Sequence, residues 1–256
     1  MPMSQDFILQ TTGLTKEFKG FAAVQNVDLN VKRGNIHALI GPNGAGKTTV
    51  FNLLTKFLQP TAGKIEFNGI DITREESAQI ARRGVVRSFQ ISATFPNLSV
   101  MENVRIALQR KLGTSFHFWR PQATLNVLND RAIELLESVD LGAYIDTKTA
   151  ELPYGRKRAL EIATTLALEP ELMLLDEPTQ GMGHEDVDRV VELIRKVSQG
   201  RTILMVEHNL SVVESLCNVI TVLQRGAILA EGTYDVVSKD PRVLEAYVGV
   251  EAGAPA

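Results

Sequence analysis

The 256-residue chain predicts an α/β fold, a mostly parallel sheet with helices on both faces and a helical lobe inserted into it. Three observations predict this. Ile36–Ile40, Leu172–Leu175 and Ile203–Val206 are short, continuously apolar runs bounded by polar residues, the pattern of buried parallel strands. Strand-like and helix-like segments alternate on both sides of the middle of the chain. From about Ser77 to Leu168, the pattern turns mostly helical.

Taken in order, Ala22–Val31 alternates apolar and polar residues, as a half-buried strand does. Ile36–Ile40 runs directly into Gly41. A helix is expected from Lys47 to about Leu58, broken by Pro60–Gly63. Lys64–Phe67 reads as a strand entering a tight turn at Asn68-Gly69. Leu125–Val139 places apolar residues at helical spacing, and Gly113–Gln122, with the only Trp, reads as a loop or insertion. Ile220–Leu223, the Arg225-Gly226 turn and Ala227–Ala230 predict a terminal hairpin. One domain is expected, with 1–76 and 169–256 as the core, 77–168 as the lobe and 249–256 as a disordered tail that frays after Tyr247.

Composition narrows the function. A net charge of −3 lacks the basic surplus of a dedicated nucleic-acid binder, so no nucleic-acid partner is expected. The single cysteine, Cys217, cannot form an internal disulfide and reads as a small core hydrophobe. No run reaches the ~18 apolar residues of a membrane span. MPMSQDFILQ lacks the basic start of a signal peptide, so the chain is expected on the cytoplasmic side, with any membrane association through a partner.

Gly41–Thr48, GPNGAGKT, matches G-x-x-x-x-G-K-[ST] between a predicted strand and a predicted helix. Such a loop points successive N–H groups at an anion, and the helix start adds its positive end. Lys47 is placed to reach β and γ phosphates, and the Thr48 hydroxyl to ligate Mg²⁺. Downstream, the apolar Glu171–Pro178 segment ends in two adjacent carboxylates. Asp176 at a strand end suits the Mg²⁺ shell of a phosphate-loop enzyme, and Glu177 suits the polarisation of an attacking water.

With these residues in place the chain resembles the ABC ATPase family over nearly its whole length. Phe18, in TKEFKGFAAV, lies where the family has an aromatic that stacks on adenine; Gln90, in RSFQ, matches the glutamine joining core to lobe. LPYGRKRALEIA, Leu152–Ala163, looks like the signature segment, and His208, in MVEHN, matches the switch histidine. The resemblance implies a P-loop core, a mostly parallel sheet plus an antiparallel β subdomain, with an inserted α-helical lobe. It also implies ATP and Mg²⁺ as cofactors. ATP would be held by Phe18, by Gly41, Pro42, Asn43, Gly44, Ala45, Gly46, Lys47, Thr48 and Thr49, and by Gln90. Mg²⁺ would be held by Thr48, Gln90 and Asp176, with Lys47, Glu177 and His208 catalytic. A dimer is implied, with Tyr154, Gly155 and Arg156 of one subunit contacting ATP on the other.

Several positions depart from the family pattern. Pro153 stands at the usual serine, Tyr154 at the first signature glycine, Arg156 at the usual glutamine, and Gly183 where many relatives carry an aspartate. Unequal activity of the two sandwiched sites is one expectation; Arg156 as a substitute phosphate contact is another.

The branch it resembles most is the ATPases of branched-chain amino acid importers, on FKGFAAVQNVDLNV, LPYGRKRALEIATTLALEP, DEPTQGM and the ending GAILAEGTYDVVSKDPRVLEAYVG. Branches that move urea or short amides, or that extract lipopolysaccharide, share much of this ending. The implied partners are two membrane permease subunits, a second ATPase subunit (alike or a paralogue) and, indirectly, a substrate-binding protein. The implied location is peripheral, on the cytoplasmic face of the membrane. ABC ATPases of DNA repair and translation usually carry coiled-coil insertions or tandem domains, which this chain lacks.

Overall fold

Ile36–Ile40 forms β4, buried along its whole length at the centre of a six-stranded sheet. A computed structural model describes residues 6–88, 94–112 and 122–251. In chain order the strands are β1 (Phe7–Phe18), β2 (Phe21–Val27), β3 (Asn30–Lys32), β4, β5 (Ala62–Phe67), β6 (Ile70–Asp71), β7 (Val85–Ser88), β8 (Leu172–Asp176), β9 (Thr202–Val206), β10 (Val219–Gln224) and β11 (Ala227–Gly232). The helices are α1 (Lys47–Leu54), α2 (Ser77–Arg83), α3 (Val100–Leu112), α4 (Asn129–Ser138), α5 (Tyr154–Leu166), α6 (His184–Val197), α7 (Leu210–Leu216), α8 (Tyr234–Val237) and α9 (Pro241–Glu251).

The six-stranded sheet runs β11-β10-β4-β9-β8-β7, parallel except for β11. A second, antiparallel sheet runs β2-β1-β5-β6, with β3 also paired to β1. Alternation along β4 sends Ile36, Ala38 and Ile40 into one core with the helices of the lobe and α6, and Leu39 into another with α1 and the antiparallel sheet. The parallel sheet is therefore covered on both faces, which is why its strands read as unbroken apolar runs.

Four local expectations are corrected. The stretch Ala22–Val31 is two strands, because the Thr11 hydroxyl takes up backbone groups at the break, donating to Val27 O and accepting from Leu29 N, each at 2.8 Å. Helix α1 stops at Leu54, where Lys56 turns left-handed (φ 59°) and its ammonium donates to the Thr73 carbonyl. Val85–Ser88, expected within the lobe, is the edge strand of the parallel sheet; Gly84 (φ 102°) ends α2 just before it. The last helix continues to Glu251, past the point where fraying was expected, and 252–256 lie outside the described residues. Leu125–Val139 is realised as a 3₁₀ stretch, Gln122–Leu128, followed by α4. Positions 113–121 of the expected insertion lie outside the described residues.

The chain leaves the parallel sheet at Ser88 and returns at Leu172, and α3, α4 and α5 pack on one another between those points. Asn68 (φ 51°) and Gly69 (φ 74°) make the hairpin turn expected there, and Arg225 and Gly226 make the terminal one. Among the described residues no helix is long and apolar enough to cross a membrane.

Candidate active site

Strand register brings three loops to one edge. Leu39 of β4 pairs with Val206, the last residue of β9, and Asp176, the last of β8, pairs with the same Val206. The segments that follow (Gly41–Lys47, Glu177–Thr179 and Glu207–Asn209) therefore emerge side by side at the carboxyl ends of the strands, where open α/β sheets place their ligands.

A pocket of about 230 Å³ opens there, lined by Asn43 to Thr49, Glu177, His208, Ala23 and Phe21. Its floor is the loop into α1. Gly41 has φ 148°, and a Cβ there would lie 2.2 Å from the Leu223 carbonyl oxygen; at Gly46 (φ 104°) a Cβ would lie 2.6 Å from the Ala23 oxygen. Only glycine fits either place. The loop is fastened to the terminal hairpin as well, since Gly226 N donates to Ala45 O at 2.9 Å. The first i→i−4 bond of α1 runs from Val50 N to Gly46 O. The N–H groups of Lys47, Thr48 and Thr49 thus precede the helical ladder and form the positive end of α1.

Lys47 is buried, and its Nζ donates to the carbonyls of Gly41 (2.6 Å) and Pro42 (3.0 Å). Burial lowers its pKa, and the nearby Glu177 carboxylate works against that shift. Glu177 sits in left-handed backbone (φ 47°), and its Oε1 lies 2.7 Å from His208 Nε2. A non-glycine residue held at positive φ marks a position whose side-chain direction is fixed by its surroundings. Here Glu177 N donates to Val206 O at 2.9 Å.

Asp176 is buried and faces away from solvent. Its carboxylate is paired with Arg87, and its carbonyl accepts from Arg158 Nη2 at 3.1 Å. Hard oxygen donors of the Thr48 and Asp176 kind suit Mg²⁺, which takes few protein ligands and keeps several waters.

Other expected residues fall elsewhere. Phe18 does not line the pocket; it pairs with Phe21 across the β1–β2 hairpin, under the Lys16 ammonium at 5.2 Å. The rim aromatic is Phe21, 71% exposed against 43% for Phe18. Gln90 lies outside the described residues. Tyr154, Gly155 and Arg156 open α5 and lie outside this pocket. Pro153 caps α5 without a side-chain bond, and Tyr154 Oη donates to Gln180 O at 3.3 Å. Asp186 Oδ1 approaches within 2.8 Å of the place a Gly155 Cβ would take. Arg156 turns into the lobe: Nη1 donates to Asp140 O at 2.6 Å, and the guanidinium lies over Tyr144 at 5.1 Å. Gly183 is the N-cap of α6.

Sequence reasoning missed Glu207. Buried beside His208, its carboxylate accepts from Thr179 N (3.1 Å), the Thr179 hydroxyl, His208 N (2.8 Å) and Asn209 N (3.0 Å). It ties the segment after Glu177 to the segment carrying His208. A glutamate closing an otherwise apolar strand was the available signal.

The arrangement (a phosphate cradle, a strand-end aspartate, and a glutamate–histidine pair above it) is built for cleaving a nucleoside triphosphate. A family model described as ABC transporter matches residues 24–180. The chain belongs to the ABC transporter family. As an ABC ATPase it binds and hydrolyses ATP. A second model, described as branched-chain amino acid ATP-binding cassette transporter, matches 227–253, a range that includes β11, α8 and α9. The ABC ATPase is 39% identical to the high-affinity branched-chain amino acid transport ATP-binding protein BraF of Pseudomonas aeruginosa, covering 94% of this chain and 98% of the relative. It is 38% identical to LivG of Escherichia coli, of the same description, covering 96% and 99%. Among solved structures, the ADP conformation of MJ1267, an ATP-binding cassette of an ABC transporter, superposes with TM-score 0.84 at 30% identity, covering 95% of this chain and 99% of that one.

Proposed function

We propose that this ABC ATPase is the energising subunit of an importer for branched-chain or other hydrophobic amino acids, peripheral on the cytoplasmic face of the membrane. The observation that carries the transported class is the terminal segment 227–253, which matches the branched-chain model and directly follows Gly226, the residue bonded to Ala45 of the phosphate loop. The near full-length likeness to BraF and LivG supports it.

In the chemical step, Lys47 exchanges its loop carbonyls for β and γ phosphate oxygens, and the N–H groups at the start of α1 cradle the same anion. Glu177, aimed by its left-handed backbone, takes the proton of the attacking water. His208 orients Glu177 and the γ-phosphate side of the pocket. Thr48 and Asp176 are the oxygen donors that would hold Mg²⁺, which neutralises charge on the transferred phosphoryl group. Phe21, with Phe18 behind it, is the aromatic nearest the expected base. The signature residues Tyr154 and Gly155 act across a dimer on the partner's ATP. Arg156, turned into the lobe, contributes to that role only by ordering the helix start.

The permease contact fits a groove of about 420 Å³ between core and lobe, lined by Phe57, Ile80, Val86, Ala107 and Leu168. Its apolar lining and the exposed Phe57 suit an amphipathic segment of a membrane subunit. The test is a pull-down from native membranes with tagged Glu177→Gln protein and ATP. Recovery of multi-span permeases supports the transporter reading. Recovery of ribosomes or DNA-repair proteins with no permease would overturn it and leave the ATPase intact.

A further inference from the structure

Asp176 is fixed from two sides. Its backbone carbonyl is held by Arg158 of α5, and its carboxylate Oδ2 is held by Arg87 Nη2. Both members of that ion pair are nearly out of water, with side chains 9% and 6% exposed. Arg87 is itself anchored on α1: Nη1 donates to Asn52 Oδ1 at 2.7 Å, and the guanidinium lies 5.6 Å from the Phe51 ring centre. Its other side lines the apolar groove between core and lobe.

A carboxylate buried this deeply needs a cation beside it, because desolvation penalises an isolated charge. A strand-end aspartate of a phosphate-loop enzyme has a second cationic claimant, the Mg²⁺ that accompanies ATP. A guanidinium and a divalent cation cannot both lie against one carboxylate oxygen without strong mutual repulsion. We propose that Arg87 and Mg²⁺ are alternative occupants of the Asp176 carboxylate. Arg87 is then a positioning residue. It holds the aspartate aimed until the metal arrives, and the metal's arrival frees the guanidinium at the wall of the groove. Metal loading at the strand end is thereby signalled to the surface between core and lobe. The inference rests on Asp176 as the Mg²⁺ ligand.

The experiment uses the full chain and a fluorescent, non-hydrolysable ATP analogue. Mg²⁺ is titrated at fixed nucleotide, giving the concentration for half-maximal enhancement of binding, for wild type, Arg87→Gln, Arg87→Lys and Asp176→Asn. Melting is followed in EDTA and with Mg²⁺ and nucleotide. Removing a competitor for Asp176 lowers the half-saturating Mg²⁺ about fivefold in Arg87→Gln, with Arg87→Lys between it and wild type. The Arg87→Gln protein melts below wild type in EDTA, and the gap closes with Mg²⁺ and nucleotide. Unchanged or raised half-saturating Mg²⁺ in Arg87→Gln, with Asp176→Asn losing Mg²⁺ enhancement, overturns the exchange and leaves Asp176 as a ligand. Wild-type Mg²⁺ enhancement in Asp176→Asn overturns both. If Arg87→Gln does not fold, the Arg87→Lys titration decides on the same readout.

Discussion

His208 Nε2 lies 2.7 Å from Glu177 Oε1, although the two residues are separated by a helix and a strand in the chain. The pairing of Asp176 with Val206 sets this distance, because each side chain leaves its strand immediately after the pair or one residue later. Replacing Glu177 with Gln preserves the shape and the histidine contact but removes the base. Turnover falls by at least ~100-fold while nucleotide affinity stays within a few-fold of wild type. Steady-state hydrolysis and equilibrium binding measured on one preparation check this. Turnover near wild type would remove Glu177 from its role.

Glu207 makes a different prediction. Its carboxylate serves donors from two loops, and a Gln in its place turns an N–H₂ group toward N–H donors. Glu207→Gln costs roughly 1–3 kcal/mol of stability, the scale of a buried polar group left unsatisfied. It also lowers kcat more than it changes KM, since His208 loses its backbone anchor. Urea unfolding and full kinetics separate the two effects; a stability loss with unaltered kcat would make Glu207 structural only.

Phe21 rather than Phe18 stands at the pocket rim. Loss of an aromatic contact of ~0.5–1.5 kcal/mol weakens ATP binding about two- to twelve-fold in Phe21→Ala, with a smaller change in Phe18→Ala. Nucleotide titrations on the two variants decide. A larger effect at Phe18 restores the sequence expectation.

His37 gives the protein an acid-sensitive core. It lies on β4 with Nε2 2.7 Å from the Thr221 hydroxyl, which donates to Glu231 Oε2 at 2.6 Å. Burial pushes the imidazole down to about 4 from 6.5. Between those values the unfolded chain binds a proton that the folded chain refuses, so stability present above pH 6.5 is lost as pH falls toward 4. The loss from this one group is up to ~3 kcal/mol. In His37→Leu the Thr221 hydroxyl keeps Glu231 as acceptor, and the stability–pH curve between 6.5 and 4 is flatter than wild type. Urea midpoints across that range are the measurement; equal slopes would refute the assignment.

The sequence by itself determined the parallel sheet, the phosphate loop, the turns at Asn68-Gly69 and Arg225-Gly226, and the chemical kinds of the candidate site residues. Those features rest on local physics: apolar runs long enough to be buried, glycines where the backbone must turn, and carboxylates at a strand end. Glu177 was legible because it follows a buried strand ending in a carboxylate, and His208 through the resemblance of MVEHN to the family's switch segment. Tertiary structure alone decided which residues meet. Val85–Ser88 is too short and too mixed to declare itself a strand, and gains its place only by pairing with β8. Phe21 lines the pocket and Phe18 does not, because the two stand on opposite strands of the β1–β2 hairpin. Arg156 meets Asp140 and Tyr144 because the lobe brings a carbonyl and a ring to the start of α5. Arg87 reaches Asp176, and Glu207 reaches Thr179, across neighbouring strands. Such contacts depend on strand order, and a parallel sheet pairs strands that are distant in the chain, so their partners carry no local signature in the sequence.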